Sequence, residues 1–299
     1  MKTLMITGAG GTLGTGIVRC LAEEQRQRVV AVVSGRRSVR FPDGVVTEQA
    51  DLLEEKERLA LLERVKPDAI LHLAWSLEGA GFLGSEKNIQ WLEASLALLR
   101  SCACEAFFFA GSSAEYGRGR ACRETDACRP ESLYGECKLA FERTAARFCE
   151  ERGTRFVGMR FFSVYGPEDK RPGRALPTAI QSFLRGEPFV CKGPNNVWDY
   201  IYAEDVGRAV ARIVQSGYTG AVNVSSGQAV TMREVFTALA SILGAEALLR
   251  FENEDQPGQW LSGDNRILKD ELGFDGFTPL EEGLRKTVEA WRRSLGQTR

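Results

Sequence analysis

Short apolar runs alternate with longer helical patterns along the first half of this chain. The runs are almost uninterrupted in hydrophobicity, as strands buried on both faces of a parallel sheet must be. Strands that alternate with helices form right-handed βαβ units and predict a doubly wound α/β fold. The predicted strands are 4–7, 29–33, 69–74, 106–110 and 156–159, and the predicted helices are 13–26, 54–64, 86–101 and 134–152.

The pattern changes after Gly166-Pro167. Proline and glycine become frequent and the apolar runs become less regular, which indicates a smaller α+β lobe at the C-terminal end. We therefore expect a larger domain over 1–165, to which the chain returns near 197–222, and a smaller lobe over 166–299. One more helix is predicted near 280–295.

The first predicted strand leads into a glycine-rich turn and then a helix. Gly8 permits the tight turn, Gly11 lets the backbone approach a pyrophosphate, and Gly14 lets the helix pack on the sheet. The helix N-terminus offers amide groups and partial positive charge to the phosphates. This order of strand, turn and helix favours a Rossmann-type dinucleotide site over a glycine-rich turn without a ligand. The predicted contacts are Gly8, Gly11, Thr12, Leu13 and Gly14.

The end of the second strand indicates which dinucleotide binds. NAD is favoured where an Asp or Glu at this point bonds the ribose 2′-hydroxyl. This strand is followed instead by Ser34-Gly35-Arg36-Arg37, and arginine side chains suit a 2′-phosphate. We therefore expect NADP(H) in preference to NAD(H), with Ser34, Arg36 and Arg37 as contacts. The alternative is that the two arginines form a solvated surface pair.

Two further strand ends are placed to contact the cofactor. Asp51 and Leu52 follow a further short strand between the strands 29–33 and 69–74 and are expected near the adenine, and Leu73 and Ala74 end the strand 69–74. His72, the single histidine, lies within that apolar strand, and a packed core histidine is the better interpretation. A zinc site of several histidines is excluded, the eight cysteines include no CxxC pair, and we expect no metal.

A serine, a tyrosine and a lysine form the predicted catalytic group. Ser112 follows the strand 106–110, and Tyr134 and Lys138 lie four residues apart on one face of a predicted helix. A nearby ammonium lowers the pKa of a phenol, so that the tyrosine can exchange a proton with a carbinol oxygen while hydride moves at the carbon. Ser112 can bond the same oxygen, and Tyr134 and Lys138 are also expected to contact the cofactor.

In these residues the chain resembles the extended short-chain dehydrogenase/reductases, in the branch that acts on nucleotide sugars. The resemblance covers essentially the whole chain and implies Ser112, Tyr134 and Lys138 as the catalytic set. Ser112 is favoured over Ser113 because it lies four residues before Tyr116. The other landmarks are the glycine turn, Asp51-Leu52, His72-Leu73-Ala74, Asn88, and the segments that begin at Arg160, Asp199, Asn223, Pro257 and Leu272.

Departures from the family pattern restrict which reactions and substrate contacts we expect. The dehydratases have a carboxyl pair where this chain has Ser113-Ala114, so dehydration is disfavoured, and Glu115 should face the other way. Ser163 and Trp198 replace an asparagine and an arginine that meet the diphosphate in relatives. Arg174 and Lys192 either compensate or lie at the solvated surface. The predicted substrate contacts are therefore Ser113, Ser163, Arg174, Lys192 and Trp198.

The cofactor prediction favours one reaction within this family. A relative that epimerises retains its NAD through oxidation and re-reduction, whereas a ketoreductase exchanges NADPH at each turnover. We therefore expect an NADP(H)-dependent reductase of a 4-keto-6-deoxy nucleotide sugar. The alternatives are a nucleotide-sugar epimerase with retained NAD(P) and, less favoured, a non-catalytic binding protein on the same fold.

Charge and hydropathy restrict the partners. Lys and Arg number 39 and Asp and Glu 40, a net charge of −1, which lacks the basic footprint of a nucleic-acid-binding protein. The longest apolar runs, 29–33 and 106–110, are too short to cross a bilayer. We expect no signal peptide, a cytoplasmic location and free thiols. The resemblance implies a homodimer through the helices 86–101 and 134–152, although the stripe Phe141, Ala145 and Phe148 could equally face the monomer's own core.

Overall fold

A seven-stranded parallel sheet forms the centre of the protein. The computed structural model describes residues 2–35, 39–77, 79, 81–171 and 173–295. The strand order is β11-β7-β5-β4-β1-β2-β3, so β2 and β3 lie on one side of β1 and the later strands lie on the other. This order confirms the predicted doubly wound α/β fold. The strands are β1 (Thr3–Thr7), β2 (Arg28–Val33), β3 (Val46–Gln49), β4 (Ala69–His72), β5 (Ala106–Ser112), β7 (Arg155–Phe161) and β11 (Gly220–Val224).

Helices cover both faces of this sheet. Ile17 on α1 and Val210 on α6 are buried on one face, and Leu61 on α2, Leu98 on α3 and Phe141 on α4 are buried on the other. Each buried stripe recurs at helical spacing, which explains why the sequence pattern located α1, α2, α3 and α4, whereas α6 was not predicted. The helices are α1 (Gly14–Glu23), α2 (Glu55–Val65), α3 (Lys87–Ser101), α4 (Leu133–Arg152), α5 (Ala175–Leu184), α6 (Ala203–Gln215), α7 (Met232–Leu243) and α8 (Leu280–Ser294).

The remaining strands form two smaller sheets. One has the order β12-β10-β14-β6, with β8 also paired to β10, and the other joins β13 to β9. Segment 197–222 is divided, because β10 lies in the smaller sheet while α6 packs on α1 and β11 forms an edge of the large sheet. The domain boundary near residue 165 stays a prediction. These strands are β6 (Gly119–Cys122), β8 (Ser163–Tyr165), β9 (Phe189–Lys192), β10 (Val197–Tyr202), β12 (Ala229–Thr231), β13 (Leu249–Glu252) and β14 (Trp260–Gly263).

The apolar stripe of α4 belongs to the core of the monomer. Phe141 and Ala145 are fully buried, and Phe141 packs on Phe109 with ring centroids 4.3 Å apart. Phe148 packs against the same cluster. The stripe therefore gives no support to a dimer, which stays a prediction from the resemblance. Across the described ranges, no helix has the length and hydropathy needed to span a membrane.

Candidate active site

The glycine turn lies between β1 and α1 and packs against the end of β4. Gly8 has φ +69°, and a Cβ there would lie 2.7 Å from the Ala74 nitrogen and 2.9 Å from the Leu73 carbonyl carbon. A Cβ on Gly14 would collide with the Gly8 carbonyl oxygen. Because neither position has room for a side chain, the turn can keep its backbone close to a ligand.

The start of α1 is suited to phosphate. Leu13 is its N-cap residue, no side chain caps the helix, and no acidic residue lies in its first turn. By contrast, Ser132 caps α4 by accepting a hydrogen bond from the Gly135 nitrogen. Uncapped amides at the positive end of a helix favour an anion, so Gly11, Thr12 and Leu13 fit the pyrophosphate of a dinucleotide.

The adenine end of the site is only partly within the described residues. Ser34, the first residue after β2, is exposed. The first two positions after this strand are a serine and a glycine and carry no acid, and Arg36 and Arg37 lie outside the described residues. The Asp51 carboxylate stabilises the turn after β3, because it accepts a hydrogen bond of 3.0 Å from the Leu53 nitrogen. The Leu52 side chain lies in the core.

The structure brings the three predicted catalytic residues together at the carboxyl end of β5. Ser112 is the last residue of β5, and from the first turns of α4 the Tyr134 phenol interacts with the Ser112 side chain while Lys138 bonds to the Ala110 carbonyl of β5. The Lys138 Nζ lies 5.8 Å from the centroid of the Tyr134 ring. A hydroxyl pair at this edge of a doubly wound sheet is where a substrate oxygen would bind.

Burial dominates the titration of Tyr134. The sequence leads one to expect a pKa lowered by Lys138, but desolvation raises the pKa of Tyr134 to about 12 in the protein alone. The Ser112 hydroxyl and the charges of Arg171 and Arg174 act in the opposite direction without cancelling it. Arg171 was missed by the sequence analysis, because nothing in its local pattern distinguishes it from a surface arginine.

Lys138 is the most unusual group of the site. It is 2% exposed, and its Nζ donates a 2.7 Å hydrogen bond to the Ala110 carbonyl. The ammonium also lies 4.0 Å from the centroid of the Trp75 ring and 4.6 Å from that of Phe109. Desolvation lowers the pKa of Lys138 to about 7, with the charge of Glu115 opposing the shift. Lys138 can therefore gain or lose a proton near neutral pH.

His72 is a core residue, as the sequence indicates. Its ring nitrogens contact the Thr7 hydroxyl at 2.7 Å and the Ser95 hydroxyl at 2.8 Å. Burial, followed by the charge of Lys138, lowers the pKa of His72 to about 3. The imidazole is therefore neutral at physiological pH and supplies no proton to the site.

Glu115 lies in a short 3-10 turn, Ser113–Glu115, that follows β5, and not in the extended segment on which its expected orientation depends. The fully buried Glu115 carboxylate accepts a 2.7 Å hydrogen bond from the Ser112 nitrogen and lies 3.3 Å from the Arg160 guanidinium. Arg160 also pairs with Glu142 of α4. Burial and the like charge of Glu142 raise the pKa of Glu115.

The predicted substrate contacts are divided between this edge and other surfaces. Ser113 follows Ser112 directly, and Arg174 lies close enough to lower the Tyr134 pKa while donating to the Val164 carbonyl at 3.3 Å. Ser163 pairs with Tyr200 between β8 and β10. Trp198 packs against the buried cluster of Tyr116, Cys122, Phe162 and Leu261, and Lys192 is exposed on the small β9–β13 sheet.

The fold and this site place the chain among the extended short-chain dehydrogenase/reductases, as the sequence resemblance implies. A family model described as the NAD dependent epimerase/dehydratase family matches residues 4–225. The chain belongs to this family, which consists of enzymes that use a nicotinamide dinucleotide.

Individual relatives of this chain are epimerases. It is 29% identical over 326 residues to ADP-L-glycero-D-manno-heptose-6-epimerase of Thiobacillus denitrificans, covering 95% of this chain and 97% of that protein. The UDP-glucose 4-epimerase of Thermotoga maritima, solved with UDP-glucose, has a TM-score of 0.87 at 24% identity and covers 98% of this chain and 99% of its own. That of Thermus thermophilus, solved with NAD, has a TM-score of 0.84 at 25% identity, covering 97% and 99%.

Proposed function

We propose that this protein is a nucleotide-sugar epimerase that retains a nicotinamide dinucleotide through its catalytic cycle. The observation that supports this best is the group of Ser112, Tyr134 and Lys138, in which no carboxylate of the described residues pairs with Lys138 or bonds to the Tyr134 phenol. Glu115, the acid nearest in sequence, pairs with Arg160 and accepts a hydrogen bond from the Ser112 nitrogen. Proton exchange at a hydroxyl is therefore favoured over the acid-assisted elimination of a dehydratase.

The three residues have distinct roles in this proposal. Tyr134 accepts the proton of a sugar hydroxyl as that carbon is oxidised, and returns it after the sugar has reoriented. The Ser112 hydroxyl holds the same oxygen, while Lys138 supplies positive charge behind the phenol. The bound dinucleotide supplies a reversible hydride acceptor and, when oxidised, a further positive charge that lowers the barrier to ionising Tyr134.

The relatives direct the choice between epimerase and reductase. The sequence alone led us to prefer the reductase, whereas the heptose epimerase at 29% identity favours the epimerase. A 4-keto-6-deoxy-sugar reductase is the second candidate. The two residues after β2 are Ser34 and Gly35, so the acid that selects NAD over NADP is absent from these positions. The NADP(H) preference, based on Arg36 and Arg37, and the homodimer are part of the proposal as predictions to be measured.

The first experiment identifies the cofactor and the reaction together. The purified protein is denatured and its released dinucleotide identified by chromatography. The intact protein is then incubated with ADP-, UDP-, dTDP-, GDP- and CDP-sugars, and inversion at a sugar carbon is followed by NMR. We expect retained dinucleotide and inversion without net NADH or NADPH change. Stoichiometric NADPH consumption with a 4-keto-6-deoxy sugar would establish the reductase instead.

Tyr134→Phe tests the assigned chemistry. Loss of the general acid–base group should lower kcat about 10²- to 10⁴-fold and leave dinucleotide binding intact. Tyr218→Phe is the matched control, because the Tyr218 phenol donates to the Ala221 carbonyl at the sheet edge. Equal activity of the Tyr134→Phe and Tyr218→Phe proteins would refute the role of Tyr134.

A further inference from the structure

Trp75 lies against the ammonium of Lys138. It follows β4 by three residues and is half-buried, and its ring centroid is 4.0 Å from the Lys138 Nζ. The same ring packs on the Tyr134 ring in a T-shaped pair, with centroids 6.4 Å apart and an interplanar angle of 81°. One indole therefore contacts both members of the Tyr134–Lys138 pair.

The other partners of Lys138 leave a place for this ring. An ammonium has three N–H donors. Among the described residues its hydrogen-bond acceptor is the Ala110 carbonyl, and no carboxylate lies within ion-pair distance. The ammonium also lies over the rings of Trp75 and Phe109. The negative face of an indole attracts a desolvated cation more strongly than other aromatic side chains do.

A hydrogen-bond chain fixes the orientation of Trp75. Its Nε1 donates to the Asn88 Oδ1 at 2.9 Å, and the Asn88 side chain is buried. The Asn88 Nδ2 donates in turn to the carbonyls of Phe82 at 2.7 Å and Ser85 at 2.9 Å. The Phe82 ring meets the edge of Tyr134 at a centroid distance of 5.4 Å. The indole is therefore held in place and does not merely fill space.

We propose that Trp75 is a positioning residue of the active site, which holds the Lys138 ammonium on its ring face and keeps it beside Tyr134. Its role in catalysis rests on the proposed function, whereas its contact with Lys138 is a property of the protein alone. The indole takes the place that a carboxylate occupies beside most buried cations, and it does so without adding a charge that would fix the lysine in one protonation state.

Three titratable groups face Lys138 from the elements packed against it. Glu115 lies beyond the end of β5, His72 on β4, and Tyr134 on α4. Burial keeps His72 neutral and raises the pKa of Tyr134, so neither changes charge between pH 6 and 8.5. The ring stabilises the charged form of Lys138, and its removal should lower the Lys138 pKa by about one unit.

Tryptophan fluorescence provides a test that needs no substrate. The emission of the wild-type protein minus that of Trp75→Phe isolates Trp75 from the other four tryptophans. Between pH 5.5 and 8.5 we expect this difference to follow one transition centred near pH 7. In a Lys138→Met background the same difference should be independent of pH. A flat difference in the wild-type background, together with a Trp75 emission that Lys138→Met leaves unchanged, would overturn the contact.

A double-mutant cycle measures the strength of the contact. Trp75→Leu, Lys138→Met and the double variant are unfolded in urea at pH 6 and pH 8.5. We expect a coupling of about 5- to 30-fold in the unfolding equilibrium constant at pH 6 and none at pH 8.5, where the amine is neutral. Absence of coupling at pH 6 would show that Trp75 does not stabilise the ammonium and acts by packing alone.

Kinetics then distinguish positioning from general packing. Trp75→Leu should lower kcat more than it raises KM and should move the alkaline limb of the kcat profile to lower pH, because the charged form of Lys138 is the active one. Trp91→Leu is the control, because Trp91 packs on the same face of the sheet and does not contact Lys138. Trp75→Phe should restore part of the rate. If no nucleotide sugar reacts, the proposed function fails while the fluorescence and the cycle still decide the contact.

Discussion

Two buried cations lie on either side of the end of β5, and their surroundings differ. Arg160 is 5% exposed and pairs with the carboxylates of Glu142 and Glu115, with the Tyr116 phenol as a further partner at 2.8 Å. Lys138 is 2% exposed and has a backbone carbonyl and aromatic rings as its neighbours. Both cations are almost fully buried, but only Arg160 is paired with carboxylates.

The difference decides which cation can take part in chemistry. The neighbouring carboxylates raise the pKa of Arg160 against the effect of burial, so its charge is permanent. The pKa of Lys138 falls to about 7 because burial acts there with only the opposing charge of Glu115. A paired buried cation holds the sheet and α4 together, whereas an unpaired one keeps a proton that it can release near neutral pH.

Removal of Arg160 should have the largest effect on stability. Arg160→Met leaves two carboxylates buried without their cation, and we expect a loss of about 3–5 kcal/mol in the free energy of unfolding. Arg147→Met is the control, since Arg147 pairs with Glu150 and Glu151 at the surface and should cost no more than about 1 kcal/mol. Chemical denaturation measures both values. A similar loss in the two variants would show that the buried cluster is not held by charge.

Lys138→Met should change how stability depends on pH. The folded-state pKa of Lys138 is about 7, below its ordinary value near 10.4, so between these values the unfolded chain binds a proton that the folded chain has released. The free energy of unfolding of the wild type should therefore rise with pH, by up to about 1.4 kcal/mol per unit from this group.

In Lys138→Met that rise should disappear. The difference between the two proteins is measured in urea from pH 6 to 9.5, so that other groups cancel. The exposed Lys56→Met is the control and should retain the wild-type slope. Parallel curves for the wild type and Lys138→Met would mean that Lys138 titrates like a surface lysine.

Gly158→Ala should have the smallest effect on the free energy of unfolding. This substitution tests how tightly the residues around Arg160 are packed. A Cβ at this position of β7 would lie 2.6 Å from the Glu142 Oε2, which the bond to Arg160 holds in place. We expect a loss of about 1–3 kcal/mol. Gly217→Ala, which meets no atom within 4 Å, should be almost neutral. A neutral Gly158→Ala would indicate that Glu142 can shift without cost.

The nucleotide-binding half of the site was more predictable than the surroundings of its lysine. The turn at Gly8 and the spacing of Tyr134 and Lys138 depend on neighbours in sequence, so their pattern is visible in the chain itself. The contact of Trp75 with Lys138 joins β4 to α4, and neither residue has a local signal that indicates the other. For the same reason Arg171 was not found.

By itself the amino-acid sequence determined the doubly wound fold, the glycine turn and the helical face shared by Tyr134 and Lys138, because periodicity and short spacings depend on the local backbone. Only the tertiary structure decided that Arg160 meets Glu115 and Glu142 while Lys138 meets Trp75. Strand register and burial bring together residues far apart in the chain, and the pairing of a buried charge determines its pKa. The chemical difference between the two cations therefore arises from packing.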